Sequence, residues 1–397
     1  MLLGGMLPLL SGCGGESTVT LNVYNWGEYI SDGSEDSLEV NAAFEEYYYE
    51  TYGVRVKVNY TTYASNEDMY AKLRSGSTSY DVIVPSDYMV QRLIKEDMVE
   101  PLNFENIPNY QYIADEFRAL FYDPDDRYSI PYSYGMVGVI YNTKMVKEED
   151  IGSWGLLWNP DYSGKILQFN NARDAFGTAM YYQKIDVNTT SAADWEKALE
   201  YLKTQKPLVQ GYVMDEIFNK MKGESAAIAP YYAGDFLTMY DSNDSLAFFY
   251  PEEGTNVFVD AYCIPKGSLH KDIAEAYINF MLSEEPAVAN AEYIGYACPN
   301  QLVRQNEEYQ EYLADIHPDA YDILYPESST LMTSYYYMLD DDTQNLQNDL
   351  WEQLKIDSSV GDGIYILAWV IVAVVIIFFL VRFVVMRRRA YYLKKAE

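Results

Sequence analysis

The sequence predicts an α/β protein of two lobes with a C-terminal transmembrane helix. Short runs of alternating apolar and polar residues are separated by stretches of helical periodicity, the pattern of strands interleaved with helices. At 397 residues the chain exceeds what one ordinary core serves. Residues 364–381 form an apolar run without a charged side chain.

The first strand signal covers residues 18–24 and ends in Asn25-Trp26-Gly27-Glu28-Tyr29, which puts an indole, a carboxylate and a phenol in one turn. Val40, Phe44, Tyr47 and Tyr48 share a helical face. A second strand is expected over 54–60. Ser65-Asn66-Glu67-Asp68 then reads as a capped helix start, with Met69 and Leu73 one turn apart. Strand 81–84 runs into Pro85-Ser86-Asp87-Tyr88, which opens a helix carrying Val90, Leu93 and Ile94. Strands at 137–141, 165–169, 226–229 and 257–259 follow. The last three exit into Asn170-Asn171-Ala172-Arg173-Asp174, Pro230-Tyr231-Tyr232 and Asp260. This order predicts largely parallel sheets, in which ligands bind beyond the carboxyl ends of strands. Each exit has a plain structural account: Asn171 or Asp174 caps a helix, Tyr231 packs in the core, Asp260 accepts backbone hydrogen bonds. Five coincident exits of this kind point to a ligand site.

Charge sets the partners. Residues 1–362 hold 59 acids and 22 bases, a field that repels nucleic acid and draws small cations, although a solubilising acidic coat has the same composition. Both ends address a membrane. A span over 364–386 is followed by Arg387, Arg388 and Arg389, which places the tail 387–397 in the cytoplasm and the acidic body outside. Residues 1–17 have the apolar stretch of an export signal without its basic start, and Leu10-Ser11-Gly12-Cys13 resembles a lipobox that would make Cys13 a lipidation site. Cys263 and Cys298 allow a single bridge outside the cell but read more readily as two isolated small apolar side chains. His270 and His317 offer no metal cluster or His-dependent triad, so neither metal nor cofactor is expected.

LNVYNWGEYI, TTYASNEDMYAKL, YDVIVPSDYMV, YSIPYSYGMVGVIYN, SWGLLWNPDYSGKI and EYIGYACPN, in this order and spacing, resemble the spermidine/putrescine-binding proteins of polyamine ABC transporters over residues 18–355. The resemblance implies a two-lobed type II periplasmic-binding-protein fold and no enzymatic activity. Lobe 1 would hold 18–130 plus 262–303 and lobe 2 would hold 131–261 plus 304–355, with a linker over 356–363. It implies pocket roles for Trp26, Glu28, Tyr29, Ser86, Tyr88, Asp174, Asp260 and Tyr296. It also marks departures: Gly27 for Thr, Asn171 for Asp, Asp174 for Glu, Tyr231 and Phe258 for two tryptophans, and Tyr337 for a Gln. Expected partners are a polyamine, the permease and ATPase subunits, and the membrane.

A polyamine is an apolar chain punctuated by ammonium groups, so carboxylates suit its ends and ring faces suit its methylenes. Other readings use the same residue types. A glycosidase pairs two acids with stacking aromatics, a ferric receptor of related fold would use tyrosinates such as Tyr231-Tyr232, and a membrane-anchored cation sensor would keep the lobes without transport.

Overall fold

Residues that alternate between apolar and polar form β1 (Val19–Trp26), whose inward side chains Leu21 and Val23 are fully buried. The computed structural model is described over residues 18–327, 331–356 and 382. Among these residues β1 belongs to a mixed sheet with β2 (Val56–Tyr63), β3 (Val82–Ile83), β4 (Ser129–Asn142), β5 (Ile166–Phe169), β6 (Val209–Val213), β7 (Ile228–Tyr232), β8 (Leu246–Phe249), β9 (Thr255–Cys263) and β10 (Thr333–Ser334). The order is β2-β1-β3-β9-β4-β7-β5-β6, with β8 on β4 and β10 on β9. Around it lie α1 (Val40–Tyr52), α2 (Asn66–Ser75), α3 (Asp87–Lys95), α4 (Ala172–Tyr182), α5 (Ala192–Gln205), α6 (Glu216–Lys222), α7 (Ala233–Ser242), α8 (Lys271–Met281) and α9 (Glu284–Ile294), followed by shorter helices.

The helices obey their local chemistry. Ser65 caps α2, its hydroxyl accepting from the Asp68 amide at 3.1 Å. Phe44 of α1 is fully buried, with Tyr277 and Phe280 of α8 at ring distances of 5.0 and 5.7 Å. Truncating it to alanine would cost about 3–5 kcal/mol. Gly53, at φ 71°, ends α1 in the left-handed conformation that a β-carbon disfavours.

Three sequence expectations need correction. The sheet is not largely parallel: β1 pairs parallel with β2 and β3, and β5 with β6 and β7, but β4 runs antiparallel to β7, β8 and β9. Nearly every residue of β4 is buried, and a strand covered on both faces carries no mark of its direction. Pro230-Tyr231-Tyr232 lies inside β7 rather than beyond it, because β7 meets β5 only at Ile228 and the prolyl nitrogen beyond that point breaks no ladder bond. Asp260 likewise sits within β9, which continues through the buried Ala261, Tyr262 and Cys263.

Residues 129–136 of β4 pair with 257–263 of β9, and this ladder joins the β2-β1-β3 end of the sheet to the β7-β5-β6 end. A register shift between Pro131 and Ser133 bulges β4, and the buried Tyr132 there donates to the Tyr29 carbonyl at 2.9 Å. Cys263 and Cys298 are free and buried, as their isolated sequence positions suggest.

The chain divides into two compact units, residues 1–343 and 344–397. Residues described in the second continue the helix Asp341–Ile356, where the Gln344 side-chain NH2 donates to the side-chain oxygens of Gln347 and Asn348. No helix among the described residues is long and apolar enough to cross a membrane. The expected leader with Cys13, the linker 356–363 apart from Ile356, the span 364–386 apart from Arg382, and the tail 387–397 lie outside them.

Candidate functional site

The turn after β1 is built by Asn25. Its buried side chain accepts from the Trp26 amide at 2.8 Å and donates to the Tyr29 carbonyl at 3.2 Å, folding the chain back on itself. Glu28 adopts φ 51° at the apex and is exposed, whereas Tyr29 is buried. The half-buried Trp26 donates Nε1–H to the Val84 carbonyl at 3.0 Å and stands 4.7 Å from the Tyr63 ring.

Asp260 is the first centre. Its Oδ2 accepts from the Tyr29 hydroxyl at 2.7 Å and its Oδ1 from the Ser86 hydroxyl at 2.6 Å. Ser86 and Asp260 also meet backbone to backbone in an antiparallel bridge. Asn66, the first residue of α2, donates to the hydroxyls of Ser86 at 3.1 Å and Tyr88 at 3.0 Å, and Tyr88 in turn donates to Glu67 at 3.2 Å. Burial pushes the Asp260 carboxyl up to about 6, against the two hydroxyl donors that favour its charged form.

Asp174 is the second centre. Asn171 caps α4 by accepting from the Arg173 and Asp174 amides, and its Nδ2 donates to Asp174 Oδ2 at 2.9 Å. The Tyr232 hydroxyl donates to the same oxygen at 2.8 Å. Burial raises this carboxyl to about 6, while Tyr232 and the nearby Arg173 pull the other way. Arg173 itself is engaged elsewhere, donating to Asn188 at 2.9 Å and lying 4.6 Å from the Tyr336 ring centre.

Asp235, in the first turn of α7, was missed by sequence reasoning. It accepts from the Tyr296 hydroxyl at 2.7 Å, and burial raises it to about 7. The rule that singled out Asp174 applies equally here once β7 is known to exit at Tyr232 instead of Ala229.

Aromatic rings connect the three acids. Tyr29 lies 6.0 Å from Tyr296, Tyr296 lies 6.0 Å from Phe258, and Phe258 lies 5.4 Å from Tyr232. All three contacts are edge-on, the geometry the ring quadrupole favours. Gly135 of β4 makes room beneath them: a β-carbon there would stand 2.6 Å from Phe258 Cζ. Of the other expected positions, Tyr231 is buried and stacked on Phe169 at 5.6 Å. Tyr337 is exposed, with its ring 4.5 Å from Phe121. Among the described residues Asp174, Asp235 and Asp260 form no ion pair with a lysine or arginine, and each takes hydrogen bonds only from neutral donors.

Two α/β lobes joined by a strand ladder, with aromatic rings running between carboxylates, form an arrangement suited to holding a solute. The comparisons agree. Residues 41–315 match the model of the bacterial extracellular solute-binding protein family, and the chain belongs to that family. The spermidine/putrescine-binding periplasmic protein of Salmonella typhimurium is 31% identical over 307 residues, covering 77% of this chain and 85% of that protein. The putrescine-binding periplasmic protein of Escherichia coli is 25% identical over 320 residues, covering 76% and 83%. Among solved structures, the spermidine/putrescine ABC transporter substrate-binding protein of Streptococcus pneumoniae superposes with a TM-score of 0.71 at 31% identity, over 85% of this chain and 99% of that one. The two-lobed periplasmic-binding-protein fold expected from the sequence is thereby established.

Proposed function

We propose that the protein captures a polyamine, spermidine and/or putrescine, in a cleft between its lobes and delivers it to the permease and ATPase subunits of an ABC transporter. The observation that carries this reading is the pair of buried carboxylates, Asp260 and Asp174, which form no ion pair among the described residues and stand along a row of aromatic rings. Carboxylates removed from water without a cationic partner are costly to the folded protein. An ammonium group entering beside each relieves that cost, and the rings between them suit the methylene chain. Names of relatives in Salmonella typhimurium and Escherichia coli point to the same ligands.

In this reading Asp260 and Asp174 hold ammonium groups, and Glu28 supplies a further charge at the mouth. Trp26, Tyr29, Tyr88, Tyr231, Phe258, Tyr296 and Tyr337 provide aromatic surface, and Ser86 and Asn171 orient the acids. The lobes are those expected from sequence, the β4–β9 ladder is their hinge, and the 364–386 span with or without a lipid on Cys13 tethers the body outside the membrane. Such a tether raises the local concentration of receptor at its permease. The ferric alternative has less behind it, because the Tyr232 hydroxyl donates to Asp174 and Tyr231 is buried and stacked on Phe169.

Calorimetric titration of the full-length chain with putrescine, spermidine and spermine tests the proposal, with Asp260→Asn as control. Saturable binding of at least one polyamine, weakened in the variant, supports it. Absence of binding to all three refutes it.

A further inference from the structure

We propose that Arg173 is a positioning residue that latches the two lobes while ligand is held, acting through the segment 334–338 and a contact of that segment with Gln91. The inference rests on the polyamine reading above and adds to it a control on release.

Beyond β10 the chain touches both lobes in turn. On the side assigned to lobe 2 it is closely held: the Tyr181 and Ser334 hydroxyls meet at 2.7 Å, Asn188 Nδ2 donates to the Tyr335 carbonyl at 2.8 Å, and Asn188 Oδ1 accepts from the Tyr337 amide at 2.8 Å. Tyr336 lies over Gly177 of α4, where a β-carbon would overlap its hydroxyl. On the side assigned to lobe 1 the grip is slighter. The Met338 amide donates to Gln91 Oε1 of α3 at 2.9 Å, and the Phe121 ring stands 5.2 Å from Tyr335 and 4.5 Å from Tyr337. Rotation of the lobes about the β4–β9 ladder would therefore break the contacts of Gln91 and Phe121 before those on lobe 2.

Arg173 holds the lobe 2 side together. Its Nη2 donates to Asn188 Oδ1 at 2.9 Å and to the Tyr337 carbonyl at 3.4 Å, and the guanidinium lies 4.6 Å from the Tyr336 ring centre and 5.9 Å from that of Trp195. Its Nη1 is buried without a hydrogen-bond partner. Such a group is costly to keep, and its remaining contacts explain why it is kept. Asp174 follows Arg173 in the first turn of α4, so one turn carries a ligand anchor and the anchor of the segment together. At the other end Gln91 lies one turn along α3 from Asp87, beside the Ser86 that donates to Asp260. A polyamine bridging Asp174 and Asp260 thus completes a ring that runs through α4, Arg173, Tyr337, Met338, Gln91 and α3. Ligand and latch favour the same arrangement of the lobes, and each strengthens the other.

The test is the rate of spermidine release from the full-length chain in stopped flow, followed by tryptophan fluorescence. Arg173→Lys keeps the charge but loses the fork that reaches Asn188 and Tyr337. Gln91→Leu removes the acceptor of the Met338 amide, and Gln91→Glu restores one. We expect Arg173→Lys and Gln91→Leu each to release spermidine roughly fivefold faster with association unchanged, the double variant to be no faster than either alone, and Gln91→Glu to release at the wild-type rate. If Arg173 serves the fold alone, its variant melts lower while release is unaltered, and the inference is overturned. Additive effects in the double variant overturn it too, with the polyamine reading intact. Hydrogen exchange on the wild type is independent of how any variant folds: saturating spermidine should slow exchange at the Met338 amide, and unchanged exchange there overturns the latch. A wild type that binds no polyamine would sink the underlying reading and the latch with it.

Discussion

Ser86 occupies the N-cap of α3, yet its hydroxyl donates to Asp260 Oδ1 at 2.6 Å and caps nothing in its own helix. A serine that forgoes a cap worth about 0.5–2 kcal/mol in favour of a buried acid marks that acid as the group the local structure is arranged around.

Replacing Asp260 by asparagine should therefore act in opposite directions on binding and on stability. Loss of an anchor for a buried ammonium is expected to weaken polyamine affinity by about 2–5 kcal/mol. The ligand-free protein should melt higher, because an uncompensated buried charge has gone. Calorimetric titration and scanning calorimetry on the same preparation check both signs.

pH dependence follows from the raised carboxyls. The folded values of Asp174 and Asp260 stand at about 6 and that of Asp235 at about 7, above the unfolded 3.8. Between those limits these three carboxyls bind more protons in the folded state than in the unfolded one, so their contribution to ligand-free stability is greatest at the acid end and falls as pH rises from 4 to 7. For Asp260 alone the swing is on the order of 3 kcal/mol. Polyamine affinity should move the other way, rising over the same window as the acids ionise. Melting temperature and affinity measured from pH 5 to 8 would show crossing trends, and parallel trends would contradict this assignment.

Gly135→Ala tests the aromatic row without touching an acid. Its β-carbon would meet Phe258 at 2.6 Å and Tyr296 at 3.0 Å. Overpacking of this kind costs about 1–3 kcal/mol of stability, and the displaced rings should lower affinity for every polyamine alike. Denaturant melts and titrations with two ligands separate these effects.

Asn171→Asp keeps an oxygen to cap α4 but removes the NH2 that donates to Asp174 and sets a second acid beside it. The ligand-free protein should lose stability through like-charge repulsion, and the spermidine-to-putrescine affinity ratio should rise. A ratio unchanged in competition titrations would show that this position does not read the ligand.

Much of the lobe-forming pattern was legible because it is local. The β1 alternation, the Ser65 cap of α2 and the apolar face of α1 each depend on residues a few positions apart. Strand direction was not legible, since β4 is buried on both sides and its partners are distant in sequence. Asp174 and Asp260 could be singled out as acids near strand ends. Asp235 escaped because Pro230 was read as a terminator, although one side of β7 lacks a neighbour there. Glu28 illustrates the opposite limit: the turn was clear, but its exposure depends on how Asn25 folds the chain.

The place of Asp260 in the middle of β9 restricts how the binding preference of this protein can evolve. β9 is held by β3 at Cys263 and by β4 along 257–263, so adding or deleting a single residue upstream within the strand would turn its side chains to the opposite face. Lineages descended from this gene can widen or narrow the range of solutes by exchanging side chains, whereas a change in the length of this strand turns Asp260 away unless a bulge such as that of β4 absorbs it.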